Sequence, residues 1–369
     1  MSGLKQPWLG IAATVLIIGL AFLAILPWSY STFGGVFSDV MMCMIPVSAV
    51  IGMLWQGATP QAIAQLPQPL RGATFTALGG AVGTVVFFIL SATLGGGKGA
   101  TPFLGFGIIL SVVVTFMLAL MWGCWPFTLI RNKLLAGLAF LATAYAVTAL
   151  LTRTLNFSFL AGAPFYEGMD PAGPIPAWDG LVGAITCLAA MFVVLHFDLP
   201  VERFPRLLKQ PVLGVLWTVA ANVVGWGAYL LATRVLALAP DTFLVTVPVP
   251  FIFGSVILLT PLGASATRRF AGPVKGAVGA LVAMVLGSVL ARVYLLLMPL
   301  LTRDIPATQL DHNLWLATAL LGVTFPFLAW HHDYFQLWPL RATSTDVAMP
   351  ARNAGGEGAP SVNLAVSSE

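Results

Sequence analysis

Five residues form the most chemically capable constellation in this chain: His196 and Asp198, then His331, His332 and Asp333. Imidazole nitrogens and carboxylate oxygens ligate zinc, iron, copper or nickel, and they are equally the parts of a proton relay. The sequence His-x-Asp occurs twice, at 196–198 and 331–333. A carboxylate beside an imidazole favours the imidazolium, whereas a ligating ring must be unprotonated, so the pair suits proton coupling better than tight metal binding. The competing reading is two ordinary helix ends, where polar residues mark the exit from a membrane and a histidine complements the helix dipole. No histidine pair lies deep in an apolar run, so haem ligation is not expected. No cofactor is expected.

Other candidates are single residues. Met41-Met42-Cys43-Met44 offers soft ligands of the kind that select Cu(I). Four consecutive side chains point all round a helix, however, and lipid-facing methionine is the simpler explanation. Pro46, Pro248, Pro250 and Pro326 interrupt apolar runs. Each frees a carbonyl one turn back, and transporters build substrate sites from such broken helices, although membrane helices also tolerate kinks for purely structural reasons. Arg292 is the one basic residue inside an apolar run, a candidate for the pathway that could equally snorkel to an interface. Cys43, Cys124 and Cys187 show no paired spacing, which argues against disulfides or structural zinc. P-loop, Gly-x-Ser-x-Gly, His-Glu-x-x-His and Cys-x-x-Cys motifs are absent.

The elements that position these residues follow from composition. The chain has 369 residues, 59% of them hydrophobic and 8% charged, against roughly 25% charged in soluble proteins. Apolar runs of membrane-spanning length recur throughout without period-2 alternation, which predicts an all-α integral membrane protein. Spans are expected at 8–28, 36–56, 72–95, 102–124, 134–153, 179–198, 212–236, 242–262, 274–300 and 313–331. Alternate links hold Lys5, Arg71, Arg131, Lys133, Arg203, Arg206, Lys209, Arg268, Arg269, Lys275, Arg341 and Arg352, twelve in all, against Lys98, Arg153, Arg234 and Arg303 on the other side. This imbalance predicts both termini in the cytoplasm of a multi-pass protein, most simply in a bacterial inner membrane. The basic residues orient the chain, and no nucleic-acid partner is expected. Asp39, Glu167, Asp170, Asp179, Asp241, Asp304 and Asp311 fall on the outer side, as solvated loop residues or as a cation-attracting vestibule.

A repeated helix start organises the chain. Lys5-Gln6-Pro7-Trp8-Leu9-Gly10 is matched by Lys209-Gln210-Pro211-Val212-Leu213-Gly214 and, more loosely, by segments ending at Gly72, Gly137 and Gly276. Proline suits a first helical position, and a glycine three residues on permits close approach of another backbone. The chain therefore reads as five two-helix repeats of parallel orientation, about 5–60, 67–127, 132–206, 209–268 and 271–340, forming one transmembrane domain over 1–341. The five glycines, Gly10, Gly72, Gly137, Gly214 and Gly276, are expected at equivalent helix contacts. The aromatic-rich loop 154–178 is expected to lie on the outer interface or fold back over the bundle, and the polar tail 342–369 to be disordered in the cytoplasm.

With nearly every residue in a span or short link, the leading expectation is a permease for a small molecule rather than an enzyme. The alternatives are a membrane subunit that anchors or scaffolds a partner, and a metal or redox protein using the His-x-Asp sites. The lipid bilayer is a partner under every reading.

Overall fold

The computed structural model describes residues 4–97, 99, 101–157, 173–197 and 209–340. The tail 342–369, most of the long loop, Asp198, Glu167 and Asp170 lie outside them. Among the described residues ten helices are long and apolar enough to cross a membrane. In chain order, spans 1 to 5 are Trp8–Ile25, Tyr30–Leu54, Leu70–Thr93, Phe103–Met121 and Lys133–Thr152. Spans 6 to 10 are Ala177–Phe197, Val212–Val235, Pro240–Leu259, Gly272–Leu301 and Gln309–Asp333. An all-α membrane fold of about ten spans thus stands as expected.

The largest departure from the expected boundaries is in span 2, which begins at Tyr30 rather than near 36. The apparent break at Gly34-Gly35 is a single non-helical residue, Gly35, inside continuing helix. Asp39 is thereby carried into the helix interior, where it is buried. It is not the solvated loop residue the sequence suggested. Span 10 also starts early, at Gln309, because the Thr308 hydroxyl caps it by accepting from the Asp311 amide at 3.1 Å.

The spans sort into two rings. In the odd-numbered spans only 22–39% of the most apolar stretch is buried, against 67–78% in the even-numbered ones. The even spans pack in a closed circuit: 2 on 4, 4 on 6, 6 on 8, 8 on 10, and 10 on 2. The odd spans lie outside in the grooves. Span 3 packs on 2 and 10, span 5 on 4 and 2, span 7 on 6 and 4, and span 9 on 8 and 6. Span 1 packs on span 10 and touches the end of span 8. Lipid tails give helices no hydrophobic reason to associate, so the outer spans hold on by close packing. Small residues make it possible: Gly83 lies on Met44, Gly225 on the Cys187 backbone and Gly287 on the Pro250 carbonyl.

Lys5, Arg71, Lys133, Lys209 and Lys275 lie at one end of the bundle, which we term the basic face. Asp179, Asp241, Asp304 and Asp311 lie towards the other, the acidic face. There β1 (Leu155–Asn156) pairs in parallel with β2 (Ile175–Pro176). The rings of Phe157 and Trp178 pack against Phe103 and Phe106, fastening both ends of the long loop to the bundle.

Candidate functional site

At the basic face the sequence dictates a recurring local structure. Spans 2, 4, 8 and 10 end in the same turn. The amide of Trp55 reaches the carbonyl of Val50, and that of Gly57 reaches Ile51. The same two bonds recur as Trp122 to Met117 with Cys124 to Leu118, as Leu262 to Ile257 with Ala264 to Leu258, and as Phe335 to Trp330 with Leu337 to His331. Each turn holds two successive residues with positive φ: Gln56-Gly57, Gly123-Cys124, Gly263-Ala264 and Gln336-Leu337. Orphan carbonyls at the helix end are satisfied this way.

The residue just before each positive-φ pair covers one of the five glycines. Trp55 lies over Gly137, Trp122 over Gly214, Leu262 over Gly10 and Phe335 over Gly72. Phe197, the last described residue of span 6, lies over Gly276. A methyl group at any of the five would collide with the covering residue. Glutamine bridges three of these contacts. Gln6, Gln68 and Gln210 donate through Nε2 to the carbonyls of Pro261, Tyr334 and Met121, and their Oε1 atoms accept from the amides of Gly10, Gly72 and Gly214.

The histidines have separate partners. His196 is buried, with Nε2 2.9 Å from the Ser255 hydroxyl on span 8 and Nδ1 against Gly279 on span 9. His331 is buried, donating from Nε2 to the Trp338 carbonyl at 3.0 Å, while its Nδ1 is enclosed without a partner. His332 pairs with Asp333 at 2.8 Å, and the other Asp333 oxygen lies against Gly52 of span 2. Measured from the glycine-covering residues, His331 stands four before Phe335 and His196 one before Phe197. The two His-x-Asp sequences therefore occupy different turns of their helices. Among the described residues no group of three or more His, Cys, Asp or Glu is placed to hold a metal ion. Beyond span 4, burial pushes the Cys124 thiol up to about 12, which keeps it protonated and unreactive.

Inside the ring, Phe116 of span 4 meets Phe325 of span 10 edge-on at 5.5 Å and Phe192 of span 6 at 6.2 Å. Spans 4 and 10 are not neighbours in the circuit, so these rings meet across its interior. Helix irregularities gather in the same ring. Widened turns with i to i+5 bonding occur at Val50–Leu54, Met117–Met121 and Thr318–Thr324. Val247 breaks span 8 just before Pro248, Pro46 lies inside span 2, and Pro326 follows the widened turn of span 10. Pro248, Pro250 and Pro326 are buried. The outer ring has a widened turn at the end of span 7 and Pro299 near the end of span 9. Arg292 is exposed on the outward side of span 9, away from the ring interior.

At the acidic face, a cavity of about 370 Å³ opens between the starts of spans 6, 8 and 10, lined by Pro176, Trp178, Asp179, Pro240, Asp241 and Leu310. Its carboxylates are held in place. Asp179 accepts from the Tyr229 hydroxyl, with Arg234 at 3.9 Å, and Asp241 accepts from Asn313 at 2.8 Å. Asp311 accepts from Tyr30 at 2.8 Å.

The phenylalanine contact and the burial of Asp39 escaped sequence reasoning. Phenylalanines recur in most spans, so nothing in the sequence singled these three out. The aromatic run from Tyr30 to Phe37 was the available sign that span 2 starts early enough to enclose Asp39. No protein-family model matches the chain, and no curated protein or solved structure is significantly similar to it.

Proposed function

We propose that this protein is a permease-like membrane protein whose route for a small solute runs along the axis of the inner ring. The observation that carries the reading is the meeting of Phe116, Phe192 and Phe325 inside a closed circuit of five helices. A ring serving only to fill space has no need of the concentration of broken helix found in these spans. Broken helices instead present free backbone groups along a pathway. The cavity at Asp179 and Asp241 is the entrance on the acidic face, and the three phenylalanines are the constriction. His196 and His331 lie beyond it towards the basic face, where they serve as interfacial residues or proton carriers.

The same reading takes the chain as five copies of one helical hairpin. Support comes from the four identical helix ends and from the cyclic order of the glycine contacts, in which each even span covers the glycine of the odd span three places on, and spans 8 and 10 cover those of spans 1 and 3. The excess of Lys and Arg at the basic face supports placing that face, and both termini, in the cytoplasm.

The test is solute flux into liposomes holding the full chain, followed by light scattering with urea, glycerol, acetate and chloride as probes. Joint replacement Phe116→Ala and Phe325→Ala is expected to raise the flux of at least one probe severalfold over the unmodified protein. If neither protein passes any probe faster than empty liposomes, the permease reading fails. A reporter fused after Glu369 checks the orientation, and activity on the periplasmic side would reverse it.

A further inference from the structure

We infer that Asp39 is the anionic centre of a monovalent-cation site, for a proton or a sodium ion, set between spans 2, 4 and 5. Asp39 follows Tyr30 by nine residues, about 13 Å of helix rise, which places it well inside the bundle. It is 3% exposed, and no hydrogen bond or ion pair reaches it among the described residues. An isolated carboxylate inside a membrane protein is strongly unfavourable, and such groups mark ion or proton pathways when they persist. The group must therefore carry a proton or hold a counter-ion.

Among the described residues its surroundings supply no fixed cation. Gly105 of span 4 faces the carboxylate, and a methyl group there would stand in ordinary contact with Oδ1. Cys43, one turn along span 2, lies near Asp39 and near Tyr145 of span 5. The Tyr145 hydroxyl lies within reach of the Ser111 hydroxyl of span 4, and the Thr115 hydroxyl one turn beyond Ser111 is enclosed without a hydrogen-bond partner. A buried carboxylate that no hydrogen bond or cation of the described residues reaches calls for a positive partner, a proton or an ion that takes oxygen donors.

The other titratable groups on the packed elements lie elsewhere. Span 4 has none. On span 5, Lys133 and exposed Arg153 are at opposite ends. On span 3, Arg71 donates to the Gly57 carbonyl at the basic face. On span 10, Asp311 is bonded to Tyr30, His312 stands beside it in the first turn, and His331, His332 and Asp333 lie at the basic face. Among the described residues nothing neutralises Asp39, and Lys98, in the link between spans 3 and 4, lies outside them. The site stands whether or not the ring axis conducts.

Dicyclohexylcarbodiimide reacts with protonated carboxyls in apolar surroundings, so its adducts on purified full-length protein, mapped by mass spectrometry, report the state of Asp39 without any transport assay. Labelling at Asp39 is expected at acid pH and should fall as pH rises. At fixed pH, slower labelling in sodium chloride than in choline chloride identifies sodium, and equal rates identify the proton alone. The thermal midpoint of the unmodified protein should vary with pH or sodium, and that of Asp39→Asn should lose this dependence. The inference is overturned if labelling is insensitive to both pH and sodium. It is overturned equally if Asp39 reacts only after denaturation, or if both proteins melt with the same pH and sodium dependence. Should Asp39→Asn fail to fold, the labelling of the unmodified protein decides.

Discussion

The inner and outer rings are made of equally apolar helices, yet they solve different physical problems. Mean hydropathy reaches 2.5 in span 1 and 2.6 in span 4, although the first faces outward and the second is enclosed. Hydrophobicity therefore does not assign a helix to its ring. Small residues and polar residues do. The outer spans present glycine and alanine inward and large aliphatic side chains outward, as in span 9, where Gly276, Gly279, Ala283, Gly287 and Ala291 are buried while Leu281, Val285 and Leu296 are exposed. The inner spans bury Ser38, Asp39, Ser111, Thr115, Thr186, Ser255 and Thr324. In lipid a polar side chain is stable only where protein surrounds it, so chemistry can be housed on the inner ring and on the inward faces of the outer spans, where Thr14, Ser91, Thr148 and Thr152 are also buried.

The comparison breaks most severely where the two rings touch backbone to backbone. A side chain at Gly287 would collide with the Pro250 carbonyl oxygen, and one at Gly254 with the Ala283 carbonyl oxygen. Neither obstacle is a movable side chain. Gly287→Leu is expected to cost more than the ~3 kcal/mol at the top of ordinary overpacking and to abolish the monodisperse folded fraction in size-exclusion chromatography. Recovery of folded Gly287→Leu at the unmodified level would mean that spans 8 and 9 are not in backbone contact.

A smaller effect is expected where the obstacle can yield. At Gly214 the collision is with the Trp122 ring, whose Nε1 donates to Thr218 at 2.9 Å. Gly214→Leu must displace the indole and break that bond, an effect of about 2–4 kcal/mol, read as a lowered thermal midpoint of a protein that still folds. The equivalent changes at Gly72 and Gly137 should fall in the same range if the five contacts are copies of one another. Widely scattered values would separate them.

How much of this was legible in the sequence follows from which signals are local. Span number and approximate limits came from apolar runs, and the five glycines from the repeated helix start, because length and cap chemistry are written in adjacent residues. The partner of each glycine was not readable, since it lies on a helix three or seven spans away and is variously Trp, Phe or Leu. His196 and His331 were matched through a shared His-x-Asp spacing. In the fold, glycine-covering Phe197 and Phe335 set the register, and that register puts the two histidines on different turns. Asp39 was read with the outer-side acidic residues because it stood three residues inside the expected start of span 2 at 36, whereas the helix begins at Tyr30 and passes through one non-helical residue, Gly35.

The bridging glutamines sharpen the comparison on a finer scale. Gln210 joins the rings by accepting from the Gly214 amide at 3.0 Å and donating to the Met121 carbonyl at 3.2 Å. Gln210→Leu leaves both backbone groups without that partner at the edge of the apolar region. A loss of about 1–2 kcal/mol is expected, visible as a lower melting midpoint with span content unchanged by circular dichroism. Gln6→Leu and Gln68→Leu should act alike, because each makes the corresponding pair of bonds to Pro261 and Tyr334. No loss at all three would reduce the glutamines to bystanders.

The smallest effect is expected at Arg292. Its position inside an apolar run made it a candidate for the pathway, but it projects from the outward side of span 9 between buried Ala291 and exposed Val293. It follows Gly272 by twenty residues and precedes Leu301 by nine, so its long side chain can carry the guanidinium towards the acidic face. Among the described residues no carboxylate forms an ion pair with it. A residue so placed belongs with the outer-ring aliphatics and not with Asp39. Arg292→Leu should shift stability by no more than about 0.5 kcal/mol. It should leave solute flux and the pH response of dicyclohexylcarbodiimide labelling unchanged. Altered flux with intact folding would show that an outer-ring charge acts on the interior, and the division between a chemically silent outer ring and a functional inner ring would have to be abandoned.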